Sequence, residues 1–225
     1  MKKYVNLFVF VFMIGACLSQ GRAQTKSAVS YKNPVVDIAM PDPTVIKAAD
    51  GYFYVYATES TRNVPIMKSK DLVEWTYCNT AFTNKTRPRF EPKAGIWAPD
   101  INYINGKYVL YYAMSVWGGE QTCGIGAATA DSPQGPFTDH GKMFRSNEIG
   151  VQNSIDPSLL QYEGRNYLVW GSFRGIYVIE LTADGLSIMP GAKKKRIAGT
   201  AFEAVYIHKH DDYYYMSVSY THLTL

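Results

Sequence analysis

Asn153-Ser154-Ile155-Asp156-Pro157-Ser158 decides how this chain is read, because it has a counterpart at Ala39-Met40-Pro41-Asp42-Pro43-Thr44. Each is an Asp-Pro dipeptide, then a short apolar alternation, a Gly turn and an aromatic strand. The first continues as Thr44-Val45-Ile46, Asp50-Gly51 and Tyr52-Phe53-Tyr54-Val55-Tyr56. The second continues as Ser158-Leu159-Leu160, Glu163-Gly164 and Tyr167-Leu168-Val169-Trp170. Two looser copies follow the same plan. One starts at Trp97-Ala98-Pro99-Asp100-Ile101, the other at Phe202-Glu203-Ala204-Val205.

Four acids, Asp42, Asp100, Asp156 and Glu203, thus each open a strand–turn–strand unit, at spacings of 58, 56 and 47 residues. An all-strand repeat of about 40–50 residues or slightly more is the signature of a β-propeller blade. First strands of blades line the central axis, so acids at their starts converge in one funnel. Carboxylates gathered from distant positions suit general acid–base chemistry. The chain carries no amphipathic helical pattern; apolar residues alternate or run in short blocks between Gly, Pro and Asn/Asp turns. That excludes α/β folds and leaves a sandwich against a propeller, with the spacing favouring the propeller. The basic run Lys193-Lys194-Lys195-Arg196 reads as a solvated loop between blades.

The start of the chain reads differently. Lys2-Lys3, an apolar stretch from Val5 to Ala16 and Gly21-Arg22-Ala23 have the layout of a secretory signal peptide covering 1–23. The apolar run is too short for a membrane span. Ile14-Gly15-Ala16-Cys17 also resembles a lipobox, a second and less favoured reading in which Cys17 is lipidated. Residues 24–33 read as a linker and 34–225 as one domain. Removing 1–23 takes away Lys2, Lys3 and Arg22 and no acid, so the formal charge of +4 falls to +1. That balance argues against nucleic acid or an anionic membrane as partner. Cys78 and Cys123 remain, as one disulfide or, preferably, as buried thiols, since a large core needs no staple. The 18 Tyr, 10 Phe and 4 Trp suit a β-rich exported protein and are compatible with sugar binding, though Tyr and Phe are also good strand residues.

Six motifs occur in one order: Met40-Pro41-Asp42-Pro43, Met67-Lys68-Ser69-Lys70-Asp71-Leu72-Val73-Glu74-Trp75, Trp97-Ala98-Pro99-Asp100, Ser132-Pro133-Gln134-Gly135-Pro136-Phe137, Asn153-Ser154-Ile155-Asp156-Pro157 and Phe202-Glu203-Ala204. Together they resemble glycoside hydrolase family 43, most closely its arabinanase branch. The resemblance implies a five-bladed β-propeller and inverting hydrolysis of α-1,5-linked arabinan. It implies Asp42 as general base, Glu203 as general acid, and Asp156 as the carboxylate that orients the acid and holds it protonated. On residues alone, Asp42 and Asp156 could equally be Asp-Pro turn residues. Glu203 has little turn character, and an acid in an apolar strand is costly unless used or paired. The resemblance also assigns Trp97, Asn153 and Ser154 to substrate and Asp100 to a supporting role, Trp97 being equally readable as core.

An inverting enzyme needs one ionised carboxylate to activate water and one protonated carboxyl for the leaving oxygen. No cofactor is implied; a structural calcium belongs to the complete family fold, with no ligands in this chain and no metal role for His222. The expected partner is a polysaccharide or oligosaccharide, met by a monomer that is secreted or periplasmic. At 47–58 residues per blade the domain reads as about four blades and C-terminally incomplete, with the tail 221–225 departing from the family's continuation. The rival readings are an exo-acting arabinofuranosidase or β-xylosidase of the same family, a non-catalytic carbohydrate-binding propeller, and an inactive fragment.

Overall fold

The computed structural model describes residues 30–219. The expected signal peptide with Cys17, residues 24–29 of the linker, and the tail 221–225 with His222 lie outside the described residues. The chain divides into two units, Met1–Tyr31 and Lys32–Leu225, and the elements described here belong to the second.

The described part is almost entirely β. Strands β1 (Thr44–Lys47), β2 (Phe53–Tyr56), β3 (Pro65–Ser69) and β4 (Thr76–Thr80) form one antiparallel sheet in chain order. Strands β5 (Gly95–Ile104), β6 (Lys107–Ser115), β7 (Gly124–Ala130) and β8 (Thr138–Arg145) form a second. After one helical turn, α1 (Ser146–Ile149), come β9 (Ser158–Tyr162), β10 (Arg165–Trp170), β11 (Ile176–Glu180) and β12 (Lys195–Ala198) as a third. A hairpin of β13 (Glu203–His210) and β14 (Tyr213–Ser219) follows. The turns anticipated between first and second strands are where the sequence puts them. Asn105 and Gly106 have φ of 48° and 84°, and Glu163 and Gly164 have 50° and 73°. Two left-handed residues between paired strands make a turn whose twist matches the strands.

The first strands meet one another: β1 lies against β5, β5 against β9 and β9 against β13. The core runs between successive sheets, and β6 shows how. Successive strand residues point to opposite faces. Leu110, Tyr112 and Met114 therefore pack with Tyr54, Tyr56 and Ile66 of the first sheet. Val109 and Tyr111 turn the other way and pack with Leu168, Trp170 and Ile179 of the third. Farther along, Val169 and Ile176 pack with Val205, Ile207 and Val218 of the hairpin. A strand clothed on both faces must be apolar at nearly every position, which explains the unbroken aromatic and aliphatic run of β6.

One reading needs correction. The basic run is not wholly a loop: Lys195 and Arg196 open β12, the outer strand of the third sheet. Charged side chains on an edge strand discourage pairing with another chain, so the run belongs there physically. Cys78 and Cys123 are both free thiols, and Cys123 is fully buried. Leu110 is completely enclosed between the first two sheets. Leu110→Ala is expected to lower unfolding free energy by about 2–5 kcal/mol, read from urea midpoints at unchanged slope. A loss below about 1 kcal/mol would contradict this packing.

Candidate active site

The lead-in to each first strand passes through one left-handed residue: Asp42 at φ 48°, Ala98 at 40°, Asp156 at 56° and Ala204 at 52°. Pro43, Pro99 and Pro157 follow the first three. This frame corrects the equivalence drawn from sequence. Asp42 and Asp156 occupy the same place in their units, but Asp100 stands two residues later, level with Thr44 and Ser158. Glu203 stands one residue earlier, level with Pro41, Trp97 and Ile155. In β5 and β13 the left-handed residue coincides with a break in strand register, between Trp97 and Asp100 and between Glu203 and Tyr206. Such bulges re-aim side chains.

The lead-ins open on a cleft of about 1090 Å³, lined by Asp42, Trp97, Asp100, Asn153, Asp156 and Glu203 among others. Three of the carboxyls that line it, Asp42, Asp156 and Glu203, come from three sheets, and each meets a different protein donor. Asp42 is exposed, and its Oδ2 accepts a 2.6 Å bond from the Thr58 hydroxyl. Asp156 Oδ2 accepts the Ala204 backbone N–H at 3.1 Å. Glu203 Oε2 accepts the Ser172 hydroxyl at 2.9 Å. Asp156 sits deepest: part of its surface is open to the cleft, but protein surrounds it on most sides. Burial pushes its pKa up to about 7, the charges of Glu203 and Asp42 add to the rise, and the Ala204 bond opposes it. Its enclosure is the largest cause of the rise. Asp156 therefore keeps its proton until about pH 7.

Asp100 has three donors: Asn102 Nδ2 at 2.7 Å, the Leu159 N–H at 2.8 Å and Thr44 Oγ1 at 3.4 Å. It ties β1, β5 and β9 together from a buried position. Burial lifts its pKa to about 6 against those bonds. Trp97 is half-buried, packing on Ala113, Cys123 and Ile155 while its ring lies 5.5 Å from that of Trp117. Gly95 makes room for it, since a Cβ there would stand 2.5 Å from Trp97 Nε1. Asn153 reaches the cleft wall and donates to the Ser172 carbonyl at 3.2 Å.

Ser154 does not reach the cleft, contrary to its assignment to substrate. It is fully buried; its hydroxyl donates to the Val151 carbonyl and accepts the buried Trp170 Nε1–H at 3.1 Å. A buried indole N–H left without an acceptor would be destabilising, which accounts for the serine. Sequence reasoning missed Trp117, 94% exposed in the cleft wall, and also Thr58, Ser172 and Phe173. Among the described residues no group of three or more His, Cys, Asp and Glu side chains is placed to hold a metal ion.

Comparison with known proteins identifies the family. The sequence model for glycosyl hydrolases family 43 matches residues 31–224, and the chain belongs to that family. It is 36% identical over 193 residues to the extracellular endo-α-(1→5)-L-arabinanase 1 of Bacillus subtilis (strain 168), covering 80% of this chain and 58% of that protein. The chain thus spans less than two thirds of the curated relatives it matches. Among solved structures, an exo-1,5-α-L-arabinanase from a bovine ruminal metagenomic library superposes with a TM-score of 0.71 at 30% identity, covering 86% of this chain and 69% of that one. The Cellvibrio cellulosa α-L-arabinanase complexed with arabinohexaose gives 0.73 at 26% identity, covering 83% and 66%.

The raised pKa of Asp156 carries a stability consequence. The folded chain holds this proton up to about pH 7, whereas a free Asp releases it near 3.8. Folding therefore binds the extra proton, and stability from this group falls as pH rises from about 4 to about 7. Asp156→Asn, which removes the charge, is expected to raise the melting temperature at pH 8 and to change it little at pH 4. An equal shift at both pH values would contradict the assignment.

Proposed function

We propose that this protein is a secreted glycosidase that hydrolyses α-1,5-linked arabinan with inversion, and that its sheets are successive blades of a five-bladed propeller. One observation carries the reading: Asp42, Asp156 and Glu203 arrive from three sheets at one cleft, each on a different protein donor. Family membership and the arabinanase names of its relatives support it, as does the oligosaccharide in one related structure. Secretion is supported by the extracellular relative and by the leader read at 1–23.

In this reading Asp42, exposed to the cleft, takes a proton from the attacking water. Glu203 delivers a proton to the leaving oxygen. Asp156 contributes its charge: as long as both carboxyls are close, one of them stays protonated. Trp97 and Trp117 offer apolar ring faces to the sugar, and Asn153 its amide. Asp100 keeps the first strands together beneath them.

A second reading, exo action, is favoured by the relative described as an exo-arabinanase. Early products separate the two: a ladder of oligosaccharides marks internal cleavage, a single short product marks cleavage from an end. The chemistry itself is tested on arabinan and on an aryl arabinoside, whose leaving group needs little protonation. Asp42→Asn is expected to abolish turnover of both. Glu203→Gln and Asp156→Asn should lower arabinan turnover by about 10²–10⁴-fold and spare the aryl substrate far more. Asp156→Asn should also move the alkaline limb of the rate profile to lower pH, since the charge that kept the proton on the pair is gone. The anomer first released, followed by proton NMR, should be inverted from the substrate. Retention would overturn the mechanism.

A further inference from the structure

The second strands repeat as regularly as the first. Ser115 and Ser219 end β6 and β14, and Thr58 and Ser172 lie two residues beyond β2 and β10; the spacings are 57, 57 and 47 residues, and all four line the cleft. Each sheet therefore delivers one side-chain hydroxyl to the cleft. Two of these hydroxyls meet an acid. Thr58 donates to Asp42 at 2.6 Å, and Ser172 donates to Glu203 at 2.9 Å. Ser115 instead donates to the Val116 carbonyl.

We propose that Thr58 and Ser172 are positioning residues, which fix the orientation of the base and the acid. The proposal rests on the catalytic reading given above. Thr58 is held on three sides. Its N–H donates to the Pro41 carbonyl at 2.9 Å, and its Oγ1 accepts the Ala98 N–H at 2.7 Å. With a lone pair engaged by that N–H, the hydroxyl hydrogen is directed at Asp42 Oδ2. The other oxygen, Oδ1, is then the one left to face water. A hydroxyl hydrogen aimed at a carboxylate favours its ionised form, which is the form a base needs. Glu59 secures the segment from behind. Its backbone N–H donates to the Ile96 carbonyl, and its carboxylate accepts the Ile96 N–H and a two-pronged contact from buried Arg87.

Ser172 is almost fully buried, so its hydroxyl has no bulk water to turn to. Its bond to Oε2 of Glu203 leaves Oε1 as the oxygen that carries the transferable proton. Its carbonyl is held by the Asn153 amide, which links the acid's hydroxyl to the segment that carries Asp156. When Glu203 loses its proton to the leaving oxygen, the Ser172 hydrogen bond is strengthened by the new charge. It therefore favours proton transfer to a poor leaving group and matters little when the leaving group needs no proton.

The test uses the full chain with arabinan and an aryl arabinoside. Thr58→Val, close in shape but without the hydroxyl, should lower kcat by about 10–100-fold on both substrates, with KM within about threefold. Thr58→Ser should keep kcat within about fivefold of the parent. Ser172→Ala should lower kcat on arabinan by about 10–100-fold and on the aryl substrate by less than about threefold. A loosened fold would instead move KM and melting temperature together and would treat both substrates alike. If Thr58→Val fails to fold, Thr58→Ala against Thr58→Ser carries the same contrast. Parental kcat in Thr58→Val, a Thr58→Ser variant as slow as Thr58→Val, or equal losses in Ser172→Ala on both substrates would overturn the proposal. Asp42→Asn separates the two layers. If it retains turnover, the catalytic reading itself fails. If it is inactive while Thr58→Val and Ser172→Ala behave as the parent, only the positioning role fails.

Discussion

A passage through the left-handed region of backbone space, made at equivalent points of the four sheets by Asp42, Ala98, Asp156 and Ala204, is the constraint on which the cleft depends. For residues other than glycine this conformation is uncommon and costs of order 1–3 kcal/mol unless the surroundings enforce it. Here they do. Proline after three of the four fixes the next φ and removes a backbone donor that would otherwise need a partner. Thr58, just past β2, receives the Asp42 side chain, and Ser172, just past β10, receives that of Glu203 beside the Ala204 bend. The kink turns the chain from the cleft rim into the first strand and leaves the side chain at the bend facing the cleft. Where that side chain is Asp, the unit supplies a carboxyl. Where it is Ala, the unit supplies a backbone N–H: Ala98 to Thr58, and Ala204 to Asp156. The two kinds of unit are complementary, since each acid-bearing bend is braced directly or indirectly by an alanine-bearing one.

The fold was largely legible because its signals are local. Asn-Gly and Glu-Gly turns, aromatic alternation and Asp-Pro dipeptides all act within a few residues. The same locality explains the main misreading. Asp100 looks like the counterpart of Asp42 because both are aspartates before an apolar run, yet the backbone equates Asp42 with Ala98, whose methyl group advertises nothing. Ser154 was misassigned for a different reason. Its neighbours in the chain reach the cleft, and only packing against Trp170, sixteen residues away, turns it inward. Thr58 and Ser172 went unnoticed because hydroxyl residues are common; their spacing of 57 from Ser115 on either side was the available signal. Trp117, in a Trp-Gly-Gly turn, offered no clue that its ring would lie against Trp97.

The site also sets function against stability. Asp100 and Asp156 both hold their protons above the range of a free carboxyl because the centre of the assembly excludes water. Asp100 offsets its burial with three donors and in return links three first strands. Asp156 has one, and its unrelieved burial is what couples it to Glu203. A better-satisfied Asp156 would make a more stable protein and give up its proton at lower pH.

Every strand within a sheet pairs with its neighbour in the chain, so the pairing contacts are short-range and low in contact order. The cleft is the opposite: Asp42 and Glu203 are 161 residues apart in sequence and meet only when the sheets between them have stacked. Sheets can therefore condense one after another as the chain leaves the ribosome, each on the exposed face of the one before. The complete cleft is then a product of the last docking event rather than of any single sheet.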